Sequence, residues 1–258
     1  MRIFSILTLL FTLVGCNKPS PNTLVVGTIS GPETELVETA QKIALDRYGL
    51  TVKIVEFNDY NLPNEALQDG SLDANIYQHL PYLEAANAEH GYDLEAIGKT
   101  FVYPTGLYSN KIKSIKNLPN QALIALPNDP SNEARALILL QKAGLITLKK
   151  AKNPNIKDIL KNPKKLHFKE LDAAQLPRVL EDVDAAIINT TFAIPAGLRP
   201  SRDALILEGK DSPYANLIVI RRNSDKKEQL NLLVKALNAP EVKEKAQQLF
   251  GDAAIPAW

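Results

Sequence analysis

The polar residues best placed for chemistry lie where a predicted strand leads into a predicted helix. Residues 127–135, which read PNDPSNEAR, form a strand-end loop that runs into a helix N-terminus. The free N–H groups and the dipole of such a terminus attract an anion. Asn132 and Arg135 lie three residues apart on one helix face, and Arg135 is able to hold a carboxylate in a bidentate fork. The segment predicts a small-carboxylate site, unless Ser131 is only a helix cap and Arg135 only a surface residue.

Aromatic residues with polar tips follow two other predicted strands. Tyr60 lies in a loop directly after a strand, and Tyr77, His79 and Tyr82 surround the next strand. Tyr77 and His79 are two residues apart, so their side chains and that of Tyr82 are able to converge on one wall of a cleft. Such a wall suits an apolar or thioether side chain. The alternative is that these rings pack beneath a neighbouring helix.

Two asparagines interrupt apolar strand patterns. Asn189 follows the apolar run AAII, and Asn216 lies inside the apolar segment YANLIVI. A buried amide without a partner costs about 1–3 kcal/mol, so such residues are either bonded into the fold or directed at a ligand. The residues alone do not separate these two interpretations.

Catalytic and metal-binding motifs are weak. The chain has no G-x-S-x-G, H-E-x-x-H, P-loop or G-x-G-x-x-G pattern. Its three histidines, His79, His90 and His167, do not have metal-ligand spacing. The carboxylate pair Glu33 and Glu35 is interpreted as a solvated helix end. The sequence therefore predicts neither an enzyme nor a cofactor or metal protein.

Composition limits the classes of partner. The chain has 258 residues, 45% of them hydrophobic, with 30 Lys and Arg against 29 Asp and Glu. A formal charge of +1 provides no excess with which to bind a phosphate backbone, so nucleic acid is not expected as a partner. One cysteine excludes a disulfide framework, so stability must come from a packed core. No strongly apolar exposed helix face indicates a dimer, so a monomer is expected.

The N-terminal segment is typical of an export signal. Residues 1–15 contain one basic residue, Arg2, and then an apolar run too short to span a bilayer. The run ends in LVGC, which resembles a lipobox, so Cys16 is predicted to carry a lipid and residues 16–22 to form a tether. We expect a domain anchored to a bacterial membrane and facing the periplasm or exterior. The alternatives are a plain signal peptide or an N-terminal core strand.

Elsewhere, short apolar strands alternate with longer amphipathic helices, as in a strand at 24–29, a helix at 32–48 and a strand at 50–57. The same patterns predict a helix at 173–183 despite Pro177, a strand at 203–209, and a C-terminal helical region at 226–250 that is split near Ala239-Pro240. This rhythm is typical of sheets covered by helices, and it restarts near residue 104. We predict two α/β lobes with a ligand cleft between them. The predicted boundaries are 23–103 plus 203–258 for lobe 1 and 104–202 for lobe 2.

Seven segments in order along the chain resemble the NlpA family of methionine-binding lipoproteins. They are the lipobox at 13–16, GPETELVE (31–38), FNDYNLPNEAL (57–67), DANIYQHLPYLE (73–84), ALPNDPSNEARAL (125–137), AAIINTTFA (185–193) and DSPYANLIVIR (211–221). Two departures stand out. Tyr77 occupies a position where the family more often has Phe, and Glu133-Ala134 replaces the expected Leu-Gly.

The resemblance implies a type II periplasmic-binding-protein fold and a receptor that delivers methionine to the permease and ATPase subunits of an ABC importer. It implies that Arg135 and Asn132 bind the ligand carboxylate, while Asn189 and Asn216 bind its amino and carboxylate ends. The implied enclosure of the thioether side chain consists of Tyr60, Tyr77, His79 and Tyr82.

The expected mechanism is binding without chemistry, in which the lobes close around one amino acid. Three alternatives stay open. In the first, the ligand is another small amino acid or a methionine-containing dipeptide. In the second, the protein is an envelope hydrolase that uses His79 with a nearby acid. In the third, it is a surface interaction protein.

Overall fold

The computed structural model describes residues 22–209 and 211–258. The predicted signal peptide at 1–15, Cys16 and all of the tether except Asn22 lie outside these residues, so those expectations remain predictions. Within the described part, no helix is both long and apolar enough to cross a membrane.

Strands and helices alternate along most of the chain. The strands are β1 (Thr23–Ile29), β2 (Thr51–Phe57), β3 (Ala74–His79), β4 (Leu94–Val102), β5 (Gly106–Tyr108), β6 (Leu123–Pro127), β7 (Thr147–Leu148), β8 (Ile159–Lys161), β9 (His167–Leu171), β10 (Ala185–Ile188), β11 (Ile206–Leu207), β12 (Ala215–Arg221) and β13 (Ile255–Pro256). The helices are α1 (Pro32–Tyr48), α2 (Leu62–Gln68), α3 (Leu80–His90), α4 (Pro130–Lys142), α5 (Thr190–Ala193), α6 (Pro200–Asp203), α7 (Lys227–Leu237) and α8 (Pro240–Phe250).

Lobe 1 is built on a six-stranded sheet in the order β13-β4-β12-β3-β1-β2. β1 pairs in parallel with β2 and β3, whereas β12 runs antiparallel to β3 and β4. Helices α1, α7 and α8 bury their apolar faces in one core with this sheet, with Ala40, Leu233 and Val242 completely buried. The last two helices, α7 and α8, therefore pack in lobe 1 and complete its core.

Lobe 2 is built on a five-stranded sheet in the order β11-β5-β10-β6-β9. β6 pairs in parallel with β9 and β10, and β5 runs antiparallel to β10. The predicted return to lobe 1 at residue 203 is wrong in one respect, because β11 pairs with β5 of this second sheet. β10 pairs with one side of β5, and β11 pairs with the backbone groups on its other side. The chain therefore rejoins the first sheet only at β12.

Two crossing segments join the lobes, namely residues 103–105 and residues 208–214, the latter described except for Lys210. They are bonded to each other, because the Glu208 N–H donates to the Thr105 carbonyl oxygen at 2.9 Å. The chain thus passes between the lobes twice, side by side.

Local signals in the sequence account for most element ends. Pro32 occupies the first turn of α1, and Gly49 ends that helix in the left-handed conformation, with φ 62°. The predicted helix at 173–183 is instead a 3-10 helix over Ala173–Val179. Pro177 lies inside it and lacks the N–H that a regular α-helix needs, which explains the tighter and shorter form.

Candidate functional site

Strand ends from both sheets meet around one cavity, here called the cleft cavity. Ligand sites are commonly found at such an interface between two lobes. All eight residues predicted to bind ligand line it: Tyr60, Tyr77, His79, Tyr82, Asn132, Arg135, Asn189 and Asn216. Four lining residues were missed by sequence analysis: Gln78, Tyr103, Thr190 and Thr191.

The Arg135 guanidinium lies against both crossing segments. Its Nε donates to Glu208 Oε1 at 3.1 Å, and its Nη2 donates to Glu208 Oε2 and, at 2.9 Å, to the Tyr103 carbonyl oxygen. The Tyr214 ring centre lies 4.4 Å from Arg135 Cζ, a cation–π contact. The side chains of Arg135 and Glu208 are 4% and 8% exposed, so this is a buried ion pair.

This pairing corrects one expectation about Arg135. The fork formed by Nε and Nη2 holds Glu208 rather than being free for a ligand carboxylate, because a buried guanidinium requires a matching charge. Nη1 donates no hydrogen bond to any residue of the described chain. One end of the guanidinium therefore keeps donor capacity in a residue that lines the cleft cavity.

Asp129 anchors the N-terminus of α4. Its Oδ1 accepts from the Asn132 backbone N–H and from Ser131 Oγ, both at 2.9 Å, and its Oδ2 accepts from Asn132 Nδ2 at 2.9 Å. Asp129, rather than the predicted Ser131, is thus the N-cap, because Pro130 takes the first helical position. Burial raises the pKa of Asp129, and the hydrogen bonds from Asn132 and Ser131 oppose that rise.

The Asn132 amide links three elements around the cleft cavity. Its Oδ1 accepts from Asn189 Nδ2 of lobe 2 at 2.8 Å and lies 3.3 Å from His79 Nε2 of lobe 1. Asn132 therefore orients two predicted ligand-binding side chains. Asn189 Oδ1 is buried and accepts no hydrogen bond from the described chain, so an unpaired acceptor lies in a residue that lines the cavity.

His79 is held as a neutral imidazole. Its Nδ1 accepts from the Tyr82 backbone N–H at 3.2 Å, so the ring proton lies on Nε2 and is donated to Asn132. Burial and the nearby charge of Arg135 lower the pKa of His79 from 6.5 to about 3, and the hydrogen bond that His79 donates to Asn132 opposes this fall in pKa. Its partners are an amide and a backbone N–H rather than a carboxylate, which gives no support to the hydrolase alternative.

Aromatic rings form the opposite wall of the cleft cavity. The ring centres of Tyr60 and Tyr82 each lie 5.7 Å from that of Tyr77, and Phe192 of lobe 2 lies 4.8 Å from Tyr60. The Tyr82 hydroxyl donates to the Tyr60 carbonyl oxygen at 2.8 Å. The three tyrosine rings pack in one buried cluster and also line the cavity, so the structure combines the two arrangements that the sequence left open.

Glu33 is buried, which corrects its interpretation as a solvated helix end. It is 5% exposed, and Thr191 Oγ1 of lobe 2 donates to its Oε1. Burial raises the pKa of Glu33 from 4.5 to about 7, while hydrogen bonds from Thr191 and Asn216 oppose the rise. The first turn of a helix favours an acid electrostatically. The hydrogen bond from Thr191 ties this acid to the second lobe.

Comparison with known proteins places the chain in a family. The sequence profile of the NlpA lipoprotein family matches residues 24–258. The chain belongs to the NlpA lipoprotein family. The D-methionine-binding lipoprotein MetQ of Escherichia coli K12 is 48% identical over 252 residues, covering 95% of this chain and 93% of that protein. The family predicted from the seven segments is therefore confirmed.

Solved structures of similar proteins confirm the predicted fold class for this NlpA-family chain. A periplasmic substrate-binding protein of an ABC transporter from Coxiella burnetii is 59% identical, with a TM-score of 0.88, and covers 91% of this chain and 100% of its own. A nutrient-binding protein from Burkholderia cenocepacia bound to methionine is 49% identical, with a TM-score of 0.89, and the same coverage of 91% and 100%. These names describe binding proteins and not enzymes.

The burial of two acidic residues of this NlpA-family protein was not apparent from the sequence, for the same reason. Glu33 and Glu208 are both buried, and their partners Thr191 and Arg135 are 158 and 73 residues away in the chain. No spacing rule connects residues so far apart. The sequence gives only a weak indication that Glu208 is buried, namely its position directly after the apolar run ALIL (204–207).

We expect Asp129→Ala to lower the free energy of unfolding of this NlpA-family lipoprotein by about 1–2 kcal/mol, because α4 loses its N-cap. Urea denaturation measures the change. Asp129→Asn is the matched control, since an Asn side chain also caps a helix and should retain most of the stability. An alanine variant as stable as the unmodified protein would contradict the assigned cap.

Proposed function

We propose that this protein is the substrate-binding lipoprotein of an ABC importer, and that it captures methionine outside the cytoplasmic membrane and delivers it to the permease. It acts by binding and not by catalysis. The observation that carries the proposal is the cleft cavity, which combines an arginine with spare donor capacity, a buried unpaired acceptor and an aromatic wall. The methionine-bound relative from Burkholderia cenocepacia supports it.

Each part of a free amino acid has a complementary group in the cleft cavity. The ligand carboxylate accepts hydrogen bonds from Arg135 Nη1, a charge-assisted contact. The ligand ammonium donates to Asn189 Oδ1, which otherwise has no partner. Asn216 contacts the same polar end, and Asn132 holds Asn189 in place.

The ligand side chain lies against the aromatic wall. Tyr60, Tyr77 and Tyr82 present ring faces and edges that suit a thioether, because sulfur makes favourable contacts with aromatic rings. His79 closes the same wall as a neutral ring. A charged side chain would have to lose its hydration there, so the wall selects against one.

Binding favours the closed arrangement of the lobes. His79 of lobe 1 bonds Asn132 of lobe 2, and Glu33 of lobe 1 bonds Thr191 of lobe 2, so the lobes already meet across the cleft cavity. A ligand that touches Arg135 on one side and Tyr60 on the other interacts more strongly with the closed form than with an open one. The closed form is the one that the transporter recognises.

The remaining parts of the proposal concern location and assembly. A lipid on Cys16 anchors the protein to a bacterial membrane, and residues 16–22 act as the tether after removal of residues 1–15. The protein works as a monomer with the permease and ATPase subunits of its transporter. The relatives named as lipoproteins support an envelope location.

The test is a thermal-shift panel of the 20 amino acids with D-methionine, on protein stripped of co-purified ligand. We expect L-methionine to give the largest shift among the 20. Ligand at 100 times its Kd adds about 2.7 kcal/mol. At roughly 2–4 °C per kcal/mol for a chain of this size, the expected shift is about 5–10 °C.

The panel also addresses the alternative ligands. A larger shift with another amino acid would overturn methionine as the substrate while leaving the receptor function intact. If no amino acid shifts the melting temperature, a methionine-containing dipeptide is the next ligand to test, and its binding would replace free methionine in the proposal.

A further inference from the structure

Positive charge is concentrated in one part of lobe 2. The whole chain has a formal charge of +1, but residues 110–121 and 142–169 together contain twelve lysines and one acid, Asp158. The rest of the chain is therefore acidic overall. An uneven distribution of this kind produces a local positive potential, so this part of the molecule attracts anions although the chain as a whole is nearly neutral.

The two lysine-rich segments are neighbours in the fold. The Gln121 N–H donates to the Lys164 carbonyl oxygen at 2.7 Å, and Lys164 Nζ donates to the Leu118 carbonyl oxygen at 2.7 Å. Ile112 and Ile159, one from each segment, pack against the same core of lobe 2. Residues 110–121 and 142–169 therefore form one continuous region, here called the lysine surface.

Few acids neutralise the lysine surface. Among the described residues, only two of the twelve lysines form ion pairs, Lys111 with Asp184 at 4.0 Å and Lys152 with Glu84 at 3.0 Å. The carboxylate of Asp158 accepts a hydrogen bond from a backbone N–H instead. Eleven of the twelve lysines are exposed. The positive charge is therefore presented to solvent and is available to a partner.

An apolar side chain projects from the same surface. Leu160 of β8 is 64% exposed, more than any other large hydrophobic residue of the described chain. Its neighbour Ile159 packs into the core of lobe 2, so Leu160 lies on the opposite, outer side of the strand, next to the exposed Lys161. Lysines around an exposed apolar residue suit a lipid surface, because anionic headgroups attract the cations and the boundary with the acyl chains accepts the leucine.

We propose that the lysine surface binds an anionic phospholipid membrane, with Leu160 entering the headgroup layer. The inference rests on the proposed function in one respect, since a lipid on Cys16 would bring the chain to such a membrane. A lipid chain and a polybasic surface together give firmer attachment than either alone. The second contact holds lobe 2 against the membrane. A soluble acidic polymer fits less well, because it has no use for the exposed Leu160.

The test is co-sedimentation of residues 16–258 carrying Cys16→Ser with lipid vesicles. This chain lacks the lipid but keeps every described strand and helix, since β1 begins at Thr23. We expect it to bind vesicles that contain phosphatidylglycerol and not vesicles of phosphatidylcholine alone. Salt at about 0.5 M should release most of the bound protein, because screening restricts the attraction to a few ångströms.

A triple variant of the lysine surface tests which residues are responsible. It combines Lys150→Gln, Lys157→Gln and Lys161→Gln, all at exposed positions. Each lysine at an anionic surface contributes a factor of about five in affinity, so we expect binding to phosphatidylglycerol vesicles to weaken at least about twentyfold. Leu160→Gln is expected to weaken it several-fold through loss of apolar burial.

The matched control removes the same charge from exposed positions on α7 and α8 of lobe 1. It combines Lys227→Gln, Lys235→Gln and Lys243→Gln. Vesicle binding should be nearly unchanged in this control. Leu45→Gln is the control for Leu160, because Leu45 is 54% exposed on α1 of lobe 1. Thermal melting checks that all variants are folded.

The outcomes separate this inference from the proposed function. Equal binding to the two kinds of vesicle, unchanged binding by the triple variant, or an equal loss in the matched control would overturn the lysine surface as a membrane contact. An unchanged affinity in Leu160→Gln, or binding to heparin without binding to vesicles, would overturn the membrane as the partner. L-methionine should bind the triple variant as it binds the unmodified protein, since none of these lysines lines the cleft cavity. Failure of L-methionine to bind either protein would overturn the proposed function and leave the vesicle result unaffected.

Discussion

Arg135→Ala is expected to weaken methionine binding at least about a hundredfold, or by about 3 kcal/mol. Among the described residues, Arg135 is the one arginine that lines the cleft cavity, so in the variant a ligand carboxylate is buried there without a charged donor. Isothermal titration with L-methionine measures the loss. Arg222→Ala is the matched control, because Arg222 is 58% exposed and pairs only with the surface acids Asp93 and Glu95.

The same variant also disturbs folding, and a second substitution separates the two effects. Without Arg135, the buried Glu208 carboxylate loses its partner, which is expected to destabilise the fold by about 3–5 kcal/mol. In Arg135→Ala combined with Glu208→Gln, the stranded charge is gone, so the melting temperature should recover in part while methionine binding stays lost. A folded double variant that binds methionine within threefold of the unmodified protein would contradict the proposed role of Arg135.

Glu33→Gln is expected to stabilise the protein by about 3 kcal/mol at pH 8 and to have almost no effect at pH 4.5 or below. In the folded protein the pKa of Glu33 is raised from 4.5 to about 7, mainly by burial. The folded state therefore holds a proton between these pH values that the unfolded chain has released. The free energy of unfolding consequently falls as pH rises through this window, and the full cost is present above pH 7.

Urea denaturation at pH 4.5, 6, 7 and 8 measures this difference. The glutamine side chain stays neutral and can still accept the hydrogen bond from Thr191, so its advantage over glutamate should grow across the window and then level off. Glu38→Gln, at an exposed position on the same helix α1, is the control and should not reproduce that gain. Parallel pH profiles for Glu33→Gln and the unmodified protein would rule out Glu33 as the responsible group.

Sequence reasoning was most successful where structure depends on near neighbours. The predicted helix at 32–48 is α1 with the same bounds, because Pro32 and Gly49 mark its two ends. The split of the C-terminal helical region at Ala239-Pro240 is also correct, since α7 ends at Leu237 and α8 begins at Pro240. Proline fixes its own φ, and glycine permits a positive φ that other residues rarely adopt. Both effects are local, so they are visible in the sequence.

Reasoning failed where the outcome depended on a partner distant in the chain. The strand predicted over 203–209 is present but is shortened to the two residues of β11, and it joins the sheet of lobe 2 through β5. The fork of Arg135 was assigned to a ligand, but it holds Glu208 from a crossing segment. In both cases the deciding neighbour is contributed by another part of the fold.

The sequence by itself determined the family, the alternation of strands and helices, and the eight residues that gather around one cavity. The family follows from the resemblance of seven segments, whereas the alternation of strands and helices follows from local periodicity and capping residues. The eight residues stand out as polar and aromatic residues placed at strand ends. Only the tertiary structure decided which atoms of those residues remain free. Hydrogen bonds and buried charges must be satisfied by groups that folding brings close. The pairing of Arg135 with Glu208 and the burial of Glu33 are therefore visible only in the folded protein.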